Sequence, residues 1–318
     1  MIQFLRRFCL FILPVILFIV GVEIYLGQYP STFQKKATYF ETHKDSISTL
    51  ILGSSHNQAA FHLEYFEELT AVNLAFGNQS LMLDSLLLVK LLDELPELKV
   101  VVFELAYHTL ELETSTEYHR NNLYLRYYGV NPFGRKVKLS DYSIFFSNPT
   151  FYVDYLNPFK KELKTNEFGY LLENPDPLTS NYSFLQLDYD STKILMDTSN
   201  LIIQRHRYED VRAYNRNVIT FEGMIGYCSD KGMIPVIVSP PIYRNYYSMM
   251  IPEKEQRRLD FIQSLKEQYP SLIVFDENLK PTDYSVKWFR NEDHLNEVGA
   301  KKYSKFIEKK LINLLIEY

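Results

Sequence analysis

The chain has 318 residues, 46% hydrophobic and 23% charged, which excludes a disordered polymer and suits one large folded domain or two small ones. A net charge of −5 supplies no basic field, which excludes nucleic acid as a natural partner. The two cysteines, Cys9 and Cys228, belong to no Cys/His ligand pattern, which argues against a zinc site, and the position of Cys9 inside an apolar run argues against a disulfide. The 25 Tyr and 22 Phe suit amphipathic or sugar-like ligands and equally suit ordinary core packing.

Arg6-Arg7 precede an uncharged run from Phe8 to Val22, extended beyond Glu23 by Ile24, Tyr25 and Leu26. Roughly 20 apolar residues cross a bilayer core, so residues 1–26 read as one transmembrane helix that tolerates Pro14. Val20-Gly21-Val22-Glu23 is a poor small-x-small cleavage site, which favours an uncleaved signal anchor. The arginine pair stays cytoplasmic, which places the body of the protein outside. Residues 27–45 read as a polar stalk, and residues 46–318 as the folded domain.

Within that domain, Ile47–Leu52 is a short β-branched run ending in Gly53-Ser54-Ser55-His56. It reads as the first strand of a parallel sheet followed by a small-residue turn. Phe61–Leu69 reads as a helix. Ala71–Gly77 is a second strand and turn, and the leucines of 81–95 fit a helix packed on a sheet. Lys99–Ala106, Ile234–Val238 and Leu272–Phe275 are further strands, and Glu297–Ile316 is a closing helix. Strands alternating with helices predict an α/β domain with a central parallel sheet of about five strands. Ligands of such sheets bind beyond the carboxyl ends of the strands. Residues 110–195 break the rhythm with Asn-Pro turns at 131–132, 148–149 and 157–158, and read as an insertion capping those strand ends.

The chemistry-bearing residues lie at the two ends of this domain. Leu52-Gly53-Ser54-Ser55-His56 follows the first strand, and Glu292-Asp293-His294-Leu295-Asn296 precedes the closing helix. A serine hydroxyl needs an imidazole to take its proton. A Gly/Ser turn exposes that hydroxyl and frees backbone N–H groups for a developing oxyanion. A carboxylate near the imidazole holds its tautomer. His56 and His62 lie near these segments and read as hydrogen-bonded bystanders, whereas His108, at a strand end, is a candidate to line the pocket. His43, His119 and His206 show no partner pattern, and Arg205 and Arg207 beside His206 read as a solvated helix face.

This arrangement resembles the SGNH (GDSL-type) hydrolase and acyltransferase superfamily over residues 46–109 and 225–316. It looks most like the membrane-anchored branch that includes the teichoic-acid D-alanine transfer and alginate O-acetylation proteins. The resemblance implies a three-layer, flavodoxin-like domain with Ser55 as nucleophile and His294 as base. It also implies the Ser55 and Gly77 amides as oxyanion donors, with Asn78 a candidate third donor. The family's acid stands three residues before the histidine, where this chain has Asn291. Asp293 is therefore the expected triad acid, against a structural cap on the last helix, with Asp283 the next alternative. The family's Gly-x-Asn after the third strand is absent, and Glu104 occupies that region. The function implied is acyl transfer to an extracytoplasmic envelope polysaccharide through an acyl-Ser55 intermediate. No metal or organic cofactor is implied, and a membrane acyltransferase is the expected acyl supplier. Hydrolysis by an extracytoplasmic esterase uses the same intermediate, and an inactive polymer-binding scaffold is the non-enzymatic alternative.

Overall fold

The apolar runs form strands β1 (Thr49–Ile51), β2 (Ala71–Asn73), β3 (Val100–Glu104), β4 (Ile234–Ser239) and β5 (Ile273–Asp276) in the computed structural model of the chain. It describes residues 1–112, 118, 120–156, 165–170, 183–197, 203–280 and 284–317; parts of the expected insertion, His119 and Asp283 fall outside them. The five strands are parallel and hydrogen-bonded in the order β2-β1-β3-β4-β5. This is the doubly wound, flavodoxin-like order, with its switch point between β1 and β3. Every residue of β1 to β4 is buried, as expected for strands covered on both faces.

Along the chain the helices are α1 (Ile2–Gln28), α2 (Thr32–His43), α3 (Ser55–Ala60), α4 (Leu81–Leu91), α5 (Asn121–Tyr128), α6 (Ile144–Ser147) and α7 (Pro149–Tyr152). They continue as α8 (Ser191–Met196), α9 (Ile203–His206), α10 (Val211–Asp230), α11 (Arg244–Ser248), α12 (Pro252–Gln268) and α13 (Glu297–Glu317). The chain divides into two compact units, one of Met1–Thr38 with Ser115–Glu173 and one of Tyr39–Thr114 with Asn174–Tyr318.

In the first unit, α1 is long and apolar enough to cross a membrane. Near its end the Glu23 carboxylate accepts from the Ser143 hydroxyl at 2.5 Å and from the Ile144 and Phe145 amides at 2.9 and 3.0 Å. It thereby satisfies the otherwise unpaired N–H groups that open α6. Residues of the expected stalk form α2, whose Phe33 and Ala37, one helical turn apart, are buried. Phe33 meets Tyr124 of α5 edge-on, with centroids 5.1 Å apart.

In the second unit, Arg258 of α12 gathers the carboxyl ends of three strands. It donates to the Leu105 carbonyl after β3, to Ser239 Oγ of β4 and to the Asp276 carboxylate of β5, at 3.0, 3.1 and 2.8 Å. Glu255 pairs with the same guanidinium, so this buried cation is neutralised twice.

Phe61–Leu69, expected to be helical, contains only a single 3₁₀ turn over Leu63–Tyr65. The reason lies on α13, where Glu308 Oε1 accepts from the amides of Glu67, Glu68 and Leu69 at 2.7, 2.8 and 3.1 Å. Those amides satisfy a distant carboxylate instead of a helical ladder. Glu308→Ala leaves three donors without their acceptor and should destabilise the protein by about 2–3 kcal/mol. Glu308→Gln keeps an acceptor oxygen and should lose less than half of that. Thermal melts of the two variants check this; equal losses would show that the clamp contributes little.

Candidate active site

The turn after β1 is built by two buried carboxylates. Gly53 has φ +137°, and a Cβ there would lie 2.6 Å from Glu104 Cβ, so only glycine fits. Its amide donates to Asp84 Oδ1 at 3.1 Å, and the same oxygen accepts from Gln79 Nε2 at 2.5 Å. Glu104, the last residue of β3, accepts from the Ser54 and Asn57 amides at 2.8 and 2.9 Å and from the Ser54 hydroxyl at 2.5 Å. Ser54 is thus buried and committed to Glu104. Ser55, the first residue of α3, is half-buried and faces the other way.

The histidine arrives on the loop before α13. An isolated antiparallel bridge joins Phe289 to Leu295, the Arg290 amide donates to the His294 carbonyl at 2.9 Å, and the Tyr243 amide donates to the Glu292 carbonyl at 2.7 Å. These bonds tie the loop to the segment after β4. His294 Nε2 lies 2.8 Å from Ser55 Oγ. Asn291 Oδ1 accepts from both the His294 amide, at 2.9 Å, and Nδ1, at 3.0 Å. Asp293 Oδ1 is nearer to Nδ1, at 2.6 Å, but accepts no aligned hydrogen bond. With the proton on Nδ1, the Nε2 lone pair is directed at the serine hydroxyl.

Asp293 is fully buried, and its other oxygen, Oδ2, lies 3.1 Å from His56 Nε2 and 3.7 Å from His206 Nδ1. Burial pushes the Asp293 carboxyl up, but the charge of the adjacent His294, with the hydrogen bond and charge of His56, outweighs it and holds it well below the usual range. Burial lowers His56, yet the hydrogen bond and charge of Asp293 leave it raised above an ordinary histidine. His294 is lowered, mainly by burial, with Asp293 opposing. His206 falls to about 3 through burial, and His108 lies well below the ordinary value through burial and the neighbouring imidazoles.

The structure therefore brings Ser55, His294, Asn291 and Asp293 together, with His56 and His108 beside them, and adds His206, which no sequence pattern marked. His206 donates to or accepts from the Tyr246 hydroxyl at 2.7 Å and stacks on His108, with centroids 4.3 Å apart. Arg205 and Arg207 on either side of it are exposed. One ring nitrogen from each of His56, His108 and His206 lies within 4.8 Å of the others, a cluster invisible along the chain because its members come from three elements. Among the expected oxyanion donors, the Ser55 amide has no protein acceptor among the described residues. The Gly77 amide donates to Gln58 Oε1 at 2.8 Å, and Asn78 is exposed with φ 60°.

No protein-family model and no curated protein matches the chain. Among solved structures it is similar to one provisionally described as a platelet activating factor from Streptococcus pneumonia, at 10% identity and a TM-score of 0.41, over 95% of this chain and 99% of that one.

Asp84 supplies a pH test of the turn. Burial pushes its carboxyl up to about 7, so the folded state holds this proton more tightly than the unfolded chain, whose carboxyl titrates near about 3.9. Stability from this group is present at low pH and is lost as pH rises from about 4 to about 7. Asp84→Asn keeps the acceptor for Gly53 and Gln79 and removes the titration. Its melting temperature should gain on the parent across that interval and level off above it, by at most on the order of 4 kcal/mol. A difference independent of pH would show that Asp84 is ionised in the fold.

Proposed function

We propose that this chain is a membrane-anchored serine acyl-ester enzyme that transfers an O-acyl group to an extracytoplasmic envelope polysaccharide. The observation that carries the reading is the 2.8 Å contact between Ser55 Oγ and His294 Nε2, on a ring whose Nδ1 is already bonded to Asn291. In the first step Ser55 Oγ bonds to the acyl carbonyl carbon while its proton passes to His294 Nε2. The carbonyl π electrons move to the oxygen, which the Ser55 amide stabilises, joined by the Gly77 amide when that oxygen displaces Gln58 Oε1. Collapse breaks the bond to the leaving alkoxide, which takes the proton from His294. A sugar hydroxyl then attacks acyl-Ser55 with His294 again as base, and the ester forms on the acceptor as Ser55 is released. Water in place of the sugar gives hydrolysis through the same intermediate.

In this reading Asn291 accepts the Nδ1 proton in line, and Asp293 supplies the negative charge that stabilises the imidazolium. Anchoring is supported by Glu23, which lies at the end of the apolar helix and caps α6; removal of the helix as a signal would leave those amides without their acceptor. Arg6-Arg7 before the apolar run support an orientation with the body outside the cytoplasm. The Gly53-Ser54-Ser55 and Asp293-His294 motifs and their resemblance to the SGNH superfamily support the acyl chemistry.

A fluorophosphonate should label the full-length protein at Ser55. Ser55→Ala and His294→Ala should abolish labelling, whereas Ser54→Ala should retain much of it, because Ser54 is bonded to Glu104. Asp293→Asn should slow single-turnover acylation by clearly less than the roughly 10⁴-fold that follows loss of an acid which also sets the tautomer, because Asn291 keeps that function. An unlabelled parent with an intact fold would favour a binding scaffold, and a labelled Ser55→Ala would remove the nucleophile assignment. A periplasmic reporter fused after Tyr318 should be active, and activity of a cytoplasm-only reporter at that junction would overturn the orientation.

A further inference from the structure

Two neighbouring contacts join α3 to the loop before α13. Ser55 Oγ meets His294 Nε2 at 2.8 Å, and the next residue, His56, meets Asp293 at 3.1 Å. Adjacent residues of one segment thus pair with adjacent residues of the other in antiparallel order, as two rungs of a ladder. The second rung is completely buried, with side-chain exposures of 1% for His56 and 0% for Asp293. A buried carboxylate requires a compensating partner. Asn291 occupies the in-line position on His294 Nδ1, so Asp293 Oδ1 is left off that axis and Oδ2 faces His56.

From this pairing we infer that His56 is a positioning residue for the Ser55 site. Through its Nε2 contact it holds Asp293 against His294, as an imidazolium at the pH where His294 itself takes a proton, and it locks the histidine loop in register with the serine turn. The inference rests on the acyl-enzyme reading and deepens it: the acid function is divided between a neutral in-line acceptor, Asn291, and an off-axis charge, Asp293, that His56 keeps in place. The other groups facing this pair carry both signs of charge. Glu104, at the end of β3, adds negative potential at His56. His108, after β3, and His206, on α9, are neutral rings, and Arg290 is the additional cation that acts on His294. A single metal ion fits the three-histidine cluster poorly. His108 and His206 lie face to face, 13° from parallel with centroids 4.3 Å apart, and lone pairs confined to stacked ring planes do not converge on one ion.

His56→Gln retains an N–H donor for Asp293 and removes the charge, whereas His56→Ala removes both. The rate of Ser55 inactivation by a fluorophosphonate, measured against pH on the full-length protein, has an acid limb set by protonation of His294. His56 and His294 are 5.2 Å apart between ring centroids, so loss of the imidazolium beside a retained Asp293 charge should stabilise the protonated form of His294. The acid limb of His56→Gln should therefore move upward by about one pH unit. The plateau rate should be largely kept in His56→Gln and should fall about 100-fold in His56→Ala through misplacement of the base. In an Asp293→Asn background, His56→Ala should add much less than its own roughly 100-fold loss, because the residue acts through Asp293. An unmoved limb in a folded His56→Gln, or a fully additive loss in the double variant, overturns the inference.

A readout independent of turnover separates this inference from the enzyme reading. Imidazole ¹⁵N resonances of the full chain carrying Ser55→Ala should show His56 titrating above the free-histidine value of about 6.5, with a fall in that value when Asp293→Asn is added. A His56 that titrates below the free value overturns the pairing whether or not Ser55 is ever labelled. A parent that is never labelled, with His56 titrating as expected, removes the acyl-enzyme reading alone.

Discussion

The carboxyl edge of the sheet depends on Glu104. Its carboxylate ends β3 directly beneath the turn that leaves β1, and it accepts from two amides and one hydroxyl of that turn. A buried carboxylate with three donors is a strong local organiser, because each charge-assisted bond is about twice as strong as a neutral one. Its position also requires glycine at 53, since any side chain there would collide with it. The result is a turn in which Ser54 points into the protein and Ser55 points out. The family that this turn resembles places Gly-x-Asn after the third strand; here the strand end is given to a carboxylate that shapes the turn from below.

Charge at the site is arranged by the same logic of burial and compensation. Asp293 lies beneath His294 without an aligned hydrogen bond to it, and a neutral amide, Asn291, has the better direction. An acceptor's direction determines the tautomer, while a charge acts over several ångströms in a medium with little water. The two properties that one aspartate usually combines are therefore separable, and this loop has them on residues two positions apart. The fully buried Asp293 is tolerated because imidazoles surround it and not because it reaches solvent.

The apolar N-terminal helix also serves the packing of its own unit. Glu23 interrupts its hydrophobic character near the end, and it is the residue that caps α6 within the same unit. A membrane-proximal carboxylate at that position is costly in hydrocarbon and useful at the interface, where backbone donors can satisfy it.

How much of this was legible in the chain follows from the range of the forces involved. The five strands were readable because strands buried on both faces must be continuously apolar, a property confined to a few neighbouring residues. Ser55 and His294 were readable as candidates because a nucleophilic turn and a histidine loop each leave a local pattern. Segment 61–69 was misread as helix because its amides are claimed by Glu308, over two hundred residues away in the chain. Residues 32–43, read as part of a stalk, carry a buried face spaced by a helical turn. Glu104 was legible as a buried charge in need of a partner, but which turn it binds, and which groups His56 and His206 meet, left no local trace, since a hydrogen bond depends on distance and direction between groups, and sequence spacing across separate elements encodes neither. The sequence alone determined the parallel α/β class, the long apolar N-terminal helix and the identities of a candidate serine and histidine. Only the tertiary structure decided which serine faces the histidine, that Asn291 takes the in-line position beside Asp293, and that Gln58 holds the Gly77 amide, because each is a competition between distant groups for one buried partner.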